Sequence, residues 1–160
     1  MSRSRGAANR SLYRARILLE CWDRERDEAR FPQEQLTDAF LPAVRKHLQD
    51  AYGWFLRSLA GIEEASDASP PPGSTQELPE PEAGRARPPE LAEFALLERD
   101  GWLAELLLSS PEGGARTATA QWSPNVLGSD QQAPGFAVAE EWWRRLNATM
   151  QRMDDSVAEC

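Results

Sequence analysis

Residues 136–157 read FAVAEEWWRRLNATMQRMDDSV, and within them Ala139, Trp143, Leu146, Met150, Met153 and Val157 recur at intervals of 4, 3, 4, 3 and 4. That alternation places six apolar side chains on one face of an α-helix. It is the cleanest periodic signal in the chain, and Trp142 widens its stripe.

The same period recurs upstream. From about Ala7 to Glu28, Ala8, Leu12, Ala15, Leu19 and Trp22 repeat at 4, 3, 4 and 3, with Arg10 and Arg14 on the opposite face. Tyr13 and Ile17 lie off this stripe, which predicts neighbours on two sides. From about Gln33 to Ile62, Leu41, Val44, Leu48, Ala51, Phe55 and Ile62 form a stripe, and Phe40, His47 and Trp54 an adjacent row. Pro32 suits a helix start and Gly61 a stop. Pro42 either kinks this helix or marks its true first turn. From about Pro89 to Ser109, Leu91, Phe94 and Leu97 form one stripe and Leu103, Leu106 and Leu107 another. Asp100 between them is a candidate cap for a second short helix.

Two stretches lack this pattern. Residues 63–89 hold seven of the twelve prolines, many carboxylates and few large apolar side chains. Such a segment buries too little to offset its ordering entropy, so a flexible, dispensable loop is expected. Residues 110–135 read as an irregular connection anchored by Trp122, with a weak strand candidate at Thr117 to Trp122. The fold expected is all-α: a single-domain up-down bundle of four main helices, the third open to a break.

Composition narrows function. The chain has 160 residues and a formal net charge of -8, which argues against a global preference for nucleic acid or an anionic membrane. It has no apolar run of spanning length and no secretory pattern at its start, so the cytoplasm is the expected location. Cys21 and Cys160 are too far apart in sequence to suggest a disulfide framework.

No catalytic, phosphate-binding or metal-binding signature is present. The only lysine, Lys46, follows no glycine-rich loop. The only histidine, His47, has no cysteine nearby and no glutamate three residues before it, so it reads as a partly buried structural residue. Acidic clusters at Glu20/Asp23/Asp27, Glu140-Glu141 and Asp154-Asp155 read as solvated helix faces. No metal and no cofactor are expected.

Two features point toward a partner. Trp22, Trp54 and Trp143 fit core stripes, but Trp102, Trp122 and Trp142 are less well absorbed, and exposed aromatics are enriched in interaction hot spots. Arg3, Arg5, Arg10, Arg14 and Arg16 all precede the first acid, Glu20. Positive charge at a helix N-terminus opposes the macrodipole, so helix stability does not explain the cluster. Arg3, Arg10 and Arg14 are candidates for contact with an acidic surface.

Three stretches together carry a resemblance: AANRSLYRAR at 7–16, HLQDAY at 47–52 and LERDGWL at 97–103. With them the chain resembles a bacterial family of small proteins classed only as a domain of unknown function. The resemblance implies no activity, cofactor or catalytic residue. The helix from Leu48 to Leu59 is also loosely similar to four-helix domains associated with prokaryotic toxin ribonucleases and nucleotidyltransferases. Those ribonucleases carry an Arg followed by His after four to six residues. Here Phe40, Leu41 and Pro42 occupy the positions at which that Arg would stand, so this similarity concerns fold only.

The leading expectation is a non-enzymatic interaction or accessory protein with a protein partner or a second copy of itself. One alternative is an enzyme or regulatory subunit with a site of scattered carboxylates and arginines. The other is a nucleic-acid-associated accessory using the N-terminal arginines.

Overall fold

The computed structural model describes residues 2–62, 69–108 and 135–158. It is all-helical, with five helices and no strand among the described residues: α1 (Arg3–Glu28), α2 (Gln33–Leu59), α3 (Pro89–Asp100), α4 (Trp102–Leu107) and α5 (Phe136–Ala158). The strand candidate at Thr117 to Trp122 lies outside the described residues, as does Cys160.

Helix α1 begins four residues earlier than its apolar period indicates. The Ser2 hydroxyl accepts the Arg5 N–H at 3.0 Å and caps the helix. Ala29 ends it in the left-handed region at φ 51, returning its N–H to Glu25 O. The short turn that follows sends α2 back along α1. Ser2 meets Ser58 at 3.3 Å, so the start of one helix lies at the end of the other. Along the length between, Ala8, Leu12, Ala15 and Leu19 of α1 and Val44, Leu48, Ala51 and Phe55 of α2 are all buried. Small residues at positions 8, 15 and 51 let these long helices approach closely.

Helix α2 starts at Gln33 and continues through Pro42, which is therefore an interior proline and not a first-turn residue. The helix ends at Leu59, slightly short of the expected Ile62. Gly61, at φ 70, and the Ile62 N–H bonded to Arg57 O close its terminus.

The expected third helix is two. α3 and α4 meet at Gly101, where an added Cβ would stand 3.0 Å from Leu97 O. Asp100 does not cap α4. It is the last residue of α3, its carboxylate pairs with Arg99, and Gly101 holds the N-cap position.

Helix α5 packs on α1 and α2. Its buried residues are Ala139, Trp142, Leu146, Met150 and Met153. This turns the expected stripe slightly. Trp142, not Trp143, fills the core at 2% exposure, while Val157 is 59% exposed. Trp143 sits at the rim, where its indole N–H donates to Leu12 O at 3.0 Å. A wholly apolar environment would leave that N–H unpaired, so the rim suits it.

Residues 69–88 carry one 3-10 turn, Thr75–Glu77, and they lie against the bundle. Thr75 and Leu78 are buried. These two residues hold the segment to the bundle, which the density of prolines and acids did not indicate. The Thr75 N–H and hydroxyl both donate to the Glu98 carboxylate on α3, at 2.7 and 2.6 Å. Tyr52 on α2, fully buried, donates to the same carboxylate.

Candidate functional site

The outer face of α1 gathers the basic residues singled out in the sequence. At about 100° per residue, Arg3, Arg10, Tyr13, Arg14, Ile17 and Arg24 fall within an arc of about 100°. All six are exposed. Tyr13 is 63% and Ile17 43% exposed, so the second neighbour expected for them is not present among the described residues. The face exists because the opposite side of α1 takes all the core contacts: Ala8, Leu12, Ala15, Leu19 and Trp22 lie on the far side of the helix.

Charge pairing separates Arg10, Arg14 and Arg24 from the other arginines of α1 that hold carboxylates. Arg5 belongs to the fold. Its Nε donates to Asp154 on α5 at 2.8 Å, and its guanidinium lies 4.8 Å over the Phe55 ring. Arg16 pairs with Glu20 at 3.0 Å and lies over Trp143. Arg26, Arg30, Arg144, Arg145 and Arg152 each hold a carboxylate. Among the described residues, no carboxylate makes an ion pair with Arg10, Arg14 or Arg24. Glu28, at the C-terminal end of the arc, and Glu25 at its edge are both held by Arg30, and Glu20 at the other edge is held by Arg16. From Arg10 to Arg24 the arc is thus a strip whose three arginines make no ion pair among the described residues, on a chain of net charge -8.

His47 borders this strip from α2. It is half-buried, and burial is the main cause holding its pKa below the ordinary histidine value. Asp50 opposes that shift, while Arg14 and Lys46 reinforce it.

The expected tryptophan sites divide three ways. Trp142 is buried and is corrected from a surface candidate to a core residue, with the Arg45 guanidinium 5.1 Å over its ring. Trp102 is half-buried on α4 and packs against the core. Trp122 lies outside the described residues. The structure therefore places Arg3, Arg10 and Arg14 on one face of α1, and Trp102 and Trp142 on other helices. Tyr13, Ile17 and Arg24 complete the strip. They were legible at helical spacing from Arg10, but an off-stripe apolar pair reads more readily as a second buried edge.

A concavity of about 800 Å³ lies between the end of α2 and residues 78–88 and is walled by Leu59, Ile62, Leu78 and Leu91. Its rim charges, Glu80 and Arg87, face each other across 3.6 Å. Among the described residues, no three His, Cys, Asp or Glu side chains gather in a group that could hold a metal ion. No described helix is long and apolar enough to cross a membrane. Cys21 is a free, half-buried thiol.

These features define an all-helical protein with an exposed basic helix face on which Arg10, Arg14 and Arg24 make no ion pair among the described residues. The chain belongs to a family of unknown function, DUF6586, whose model matches residues 1–160. It matches no curated protein and no solved structure.

Proposed function

We propose that this chain is a non-enzymatic accessory protein that docks an acidic protein partner through the outer face of α1. The observation that carries the reading is the absence of ion pairs, among the described residues, at Arg10, Arg14 and Arg24, while their neighbours Arg5 and Arg16 are paired. Unpaired arginines flanking an exposed tyrosine and isoleucine match the composition of binding hot spots. They also suit fast, electrostatically steered encounter with a negative surface. In this reading an up-down bundle is the rigid support that holds α1 straight.

The test is charge reversal at Arg10 and Arg14 in the full chain. Helical circular dichroism should not change, because neither side chain packs. Salt-sensitive capture of an acidic protein, with contacts mapped to α1 by crosslinking, should be lost. Capture that is indifferent to the reversal would overturn the reading. Steeply salt-dependent binding to a generic DNA duplex that is lost on reversal would replace the protein partner with nucleic acid.

A further inference from the structure

Resting on that reading, we infer that the docked segment is an acidic amphipathic α-helix of another protein, lying along α1. On a helix, side chains four apart line up into ridges. One ridge of α1 is uncharged: Asn9, Tyr13, Ile17 and Cys21. Arg10 and Arg14 form the ridge on one side of it. On the other side run Arg16, Glu20 and Arg24, of which Arg16 and Glu20 neutralise each other. An uncharged line centred on Tyr13 and Ile17, with net positive charge on both flanks, is the complement of a helix with an apolar line and acidic flanks. From Asn9 to Arg24 the strip extends about 22 Å at 1.5 Å per residue, which accommodates about four turns of a partner.

A second copy of this chain does not fit. In an antiparallel two-fold pair the symmetry brings the same flank of both helices together. Arg10 and Arg14 would then face a flank bearing the same arginines, with no acid on it to pair them. A parallel two-fold pair juxtaposes opposite flanks, and both carry net positive charge. A nucleic acid would meet the arginines but would gain little from Ile17, and it would be repelled by the chain's overall charge.

The experiment uses the full chain and four labelled probes. The first is an 18-residue synthetic peptide with leucines at helical spacing and glutamates on both flanks. The second has the same composition with a central proline. The third is polyglutamate of equal charge, and the fourth a short DNA duplex. The first peptide should bind at least about tenfold more tightly than the second. It should gain helical dichroism on binding, and it should lose affinity for the Arg10→Glu/Arg14→Glu variant. Ile17→Ser, which leaves the charges in place, should also weaken it. Equal binding of the proline peptide or of polyglutamate overturns the helical partner but leaves the acidic-partner reading standing. Binding of the duplex alone overturns both. Failure of all four probes overturns the helical partner, and the capture experiment then judges the broader reading separately.

Discussion

The Tyr52 hydroxyl donates a 2.5 Å hydrogen bond to Glu98 Oε1, joining the buried face of α2 to the outer half of α3. The same carboxylate receives two bonds from Thr75. Three segments widely separated in sequence therefore converge on one half-buried acid. Hydrogen bonds to a charged group contribute roughly 1.5–3 kcal/mol each. Tyr52→Phe should lower stability by about 2 kcal/mol, because the ring is retained and only the donor is lost. Glu98→Ala should cost more, since it leaves Thr75 and Tyr52 without their acceptor. Chemical denaturation of the two single variants and the double variant would show strong non-additivity if they share this network.

Tyr52 also sets an alkaline limit. Burial, and then the hydrogen bond and charge of Glu98, push its phenol well above the ordinary tyrosine range. The folded chain therefore keeps this proton after the unfolded chain loses it near pH 10. This contribution to stability is complete below that pH and is lost progressively above it. In a Tyr13→Phe background Tyr52 is the only phenol. Its ultraviolet ionisation should then coincide with loss of helical dichroism. Ionisation in a chain that remains folded would show that the side chain reaches water.

Gly53 tests whether residues 69–88 are held to the bundle. A Cβ at that position would stand 2.3 Å from Pro72 O and 2.8 Å from the Pro71 ring. In a helix interior, Gly→Ala alone gains about 1 kcal/mol. Here the backbone at Pro72 must move, which breaks the approach that positions Thr75. Gly53→Ala is expected to destabilise by about 1–3 kcal/mol net, and proteolysis between residues 69 and 88 should accelerate. A higher melting temperature would mean that the segment yields at little cost.

Sequence pattern revealed the helices well and the details of their facing less well. Ala139, Leu146, Met150 and Met153 were legible because their spacing admits one face only. The pair Trp142-Trp143 was not, since both positions extend that stripe and a 100° rotation separates them. What decides between them is the Leu12 carbonyl at the rim, a contact 131 residues away. Likewise, nothing local to residues 69–88 announces that Thr75 meets Glu98, for prolines and acids normally mark solvated chain. The candidate face was half visible. Arginines at 3, 10 and 14 stood out as an unopposed charge run, but whether each finds a carboxylate depends on partners as remote as Asp154. Arg5 does and Arg10 does not.

The face of α5 gives a direct comparison. Leu146 is fully buried, whereas Glu141 is exposed and paired only with Arg145. Leu146→Asp should unfold the chain or cost upwards of about 4 kcal/mol, because it adds an unpaired buried charge to a lost apolar contact. Glu141→Ala should remain within about 0.5 kcal/mol. Trp142→Ala should cost about 3–5 kcal/mol, and Trp143→Ala clearly less. Melting temperatures that rank the two tryptophans in the reverse order would sink this facing of α5.

His47 connects the fold to the proposed docking face. It is the only histidine, so its ring protons give one resolvable signal in a proton NMR titration. Burial is the main cause lowering its pKa; Asp50 opposes it next, and Arg14 and Lys46 lower it further. The midpoint should therefore fall below about 6.5. The sign for stability follows. Above that pH the ring is neutral in both folded and unfolded chains, and its pKa shift has no effect. As pH falls below it, the unfolded chain takes up the proton first, so stability declines until the folded ring is also protonated. His47→Asn should flatten this acid slope. Arg14→Glu removes a positive neighbour and adds a negative one, so it should move the midpoint upward. An acidic partner seated on Arg14 should move it in the same direction, which makes the His47 signal a reporter of docking that needs no label. A midpoint unchanged by Arg14→Glu would show that the strip's field does not reach the α1–α2 seam and that the reporter is blind.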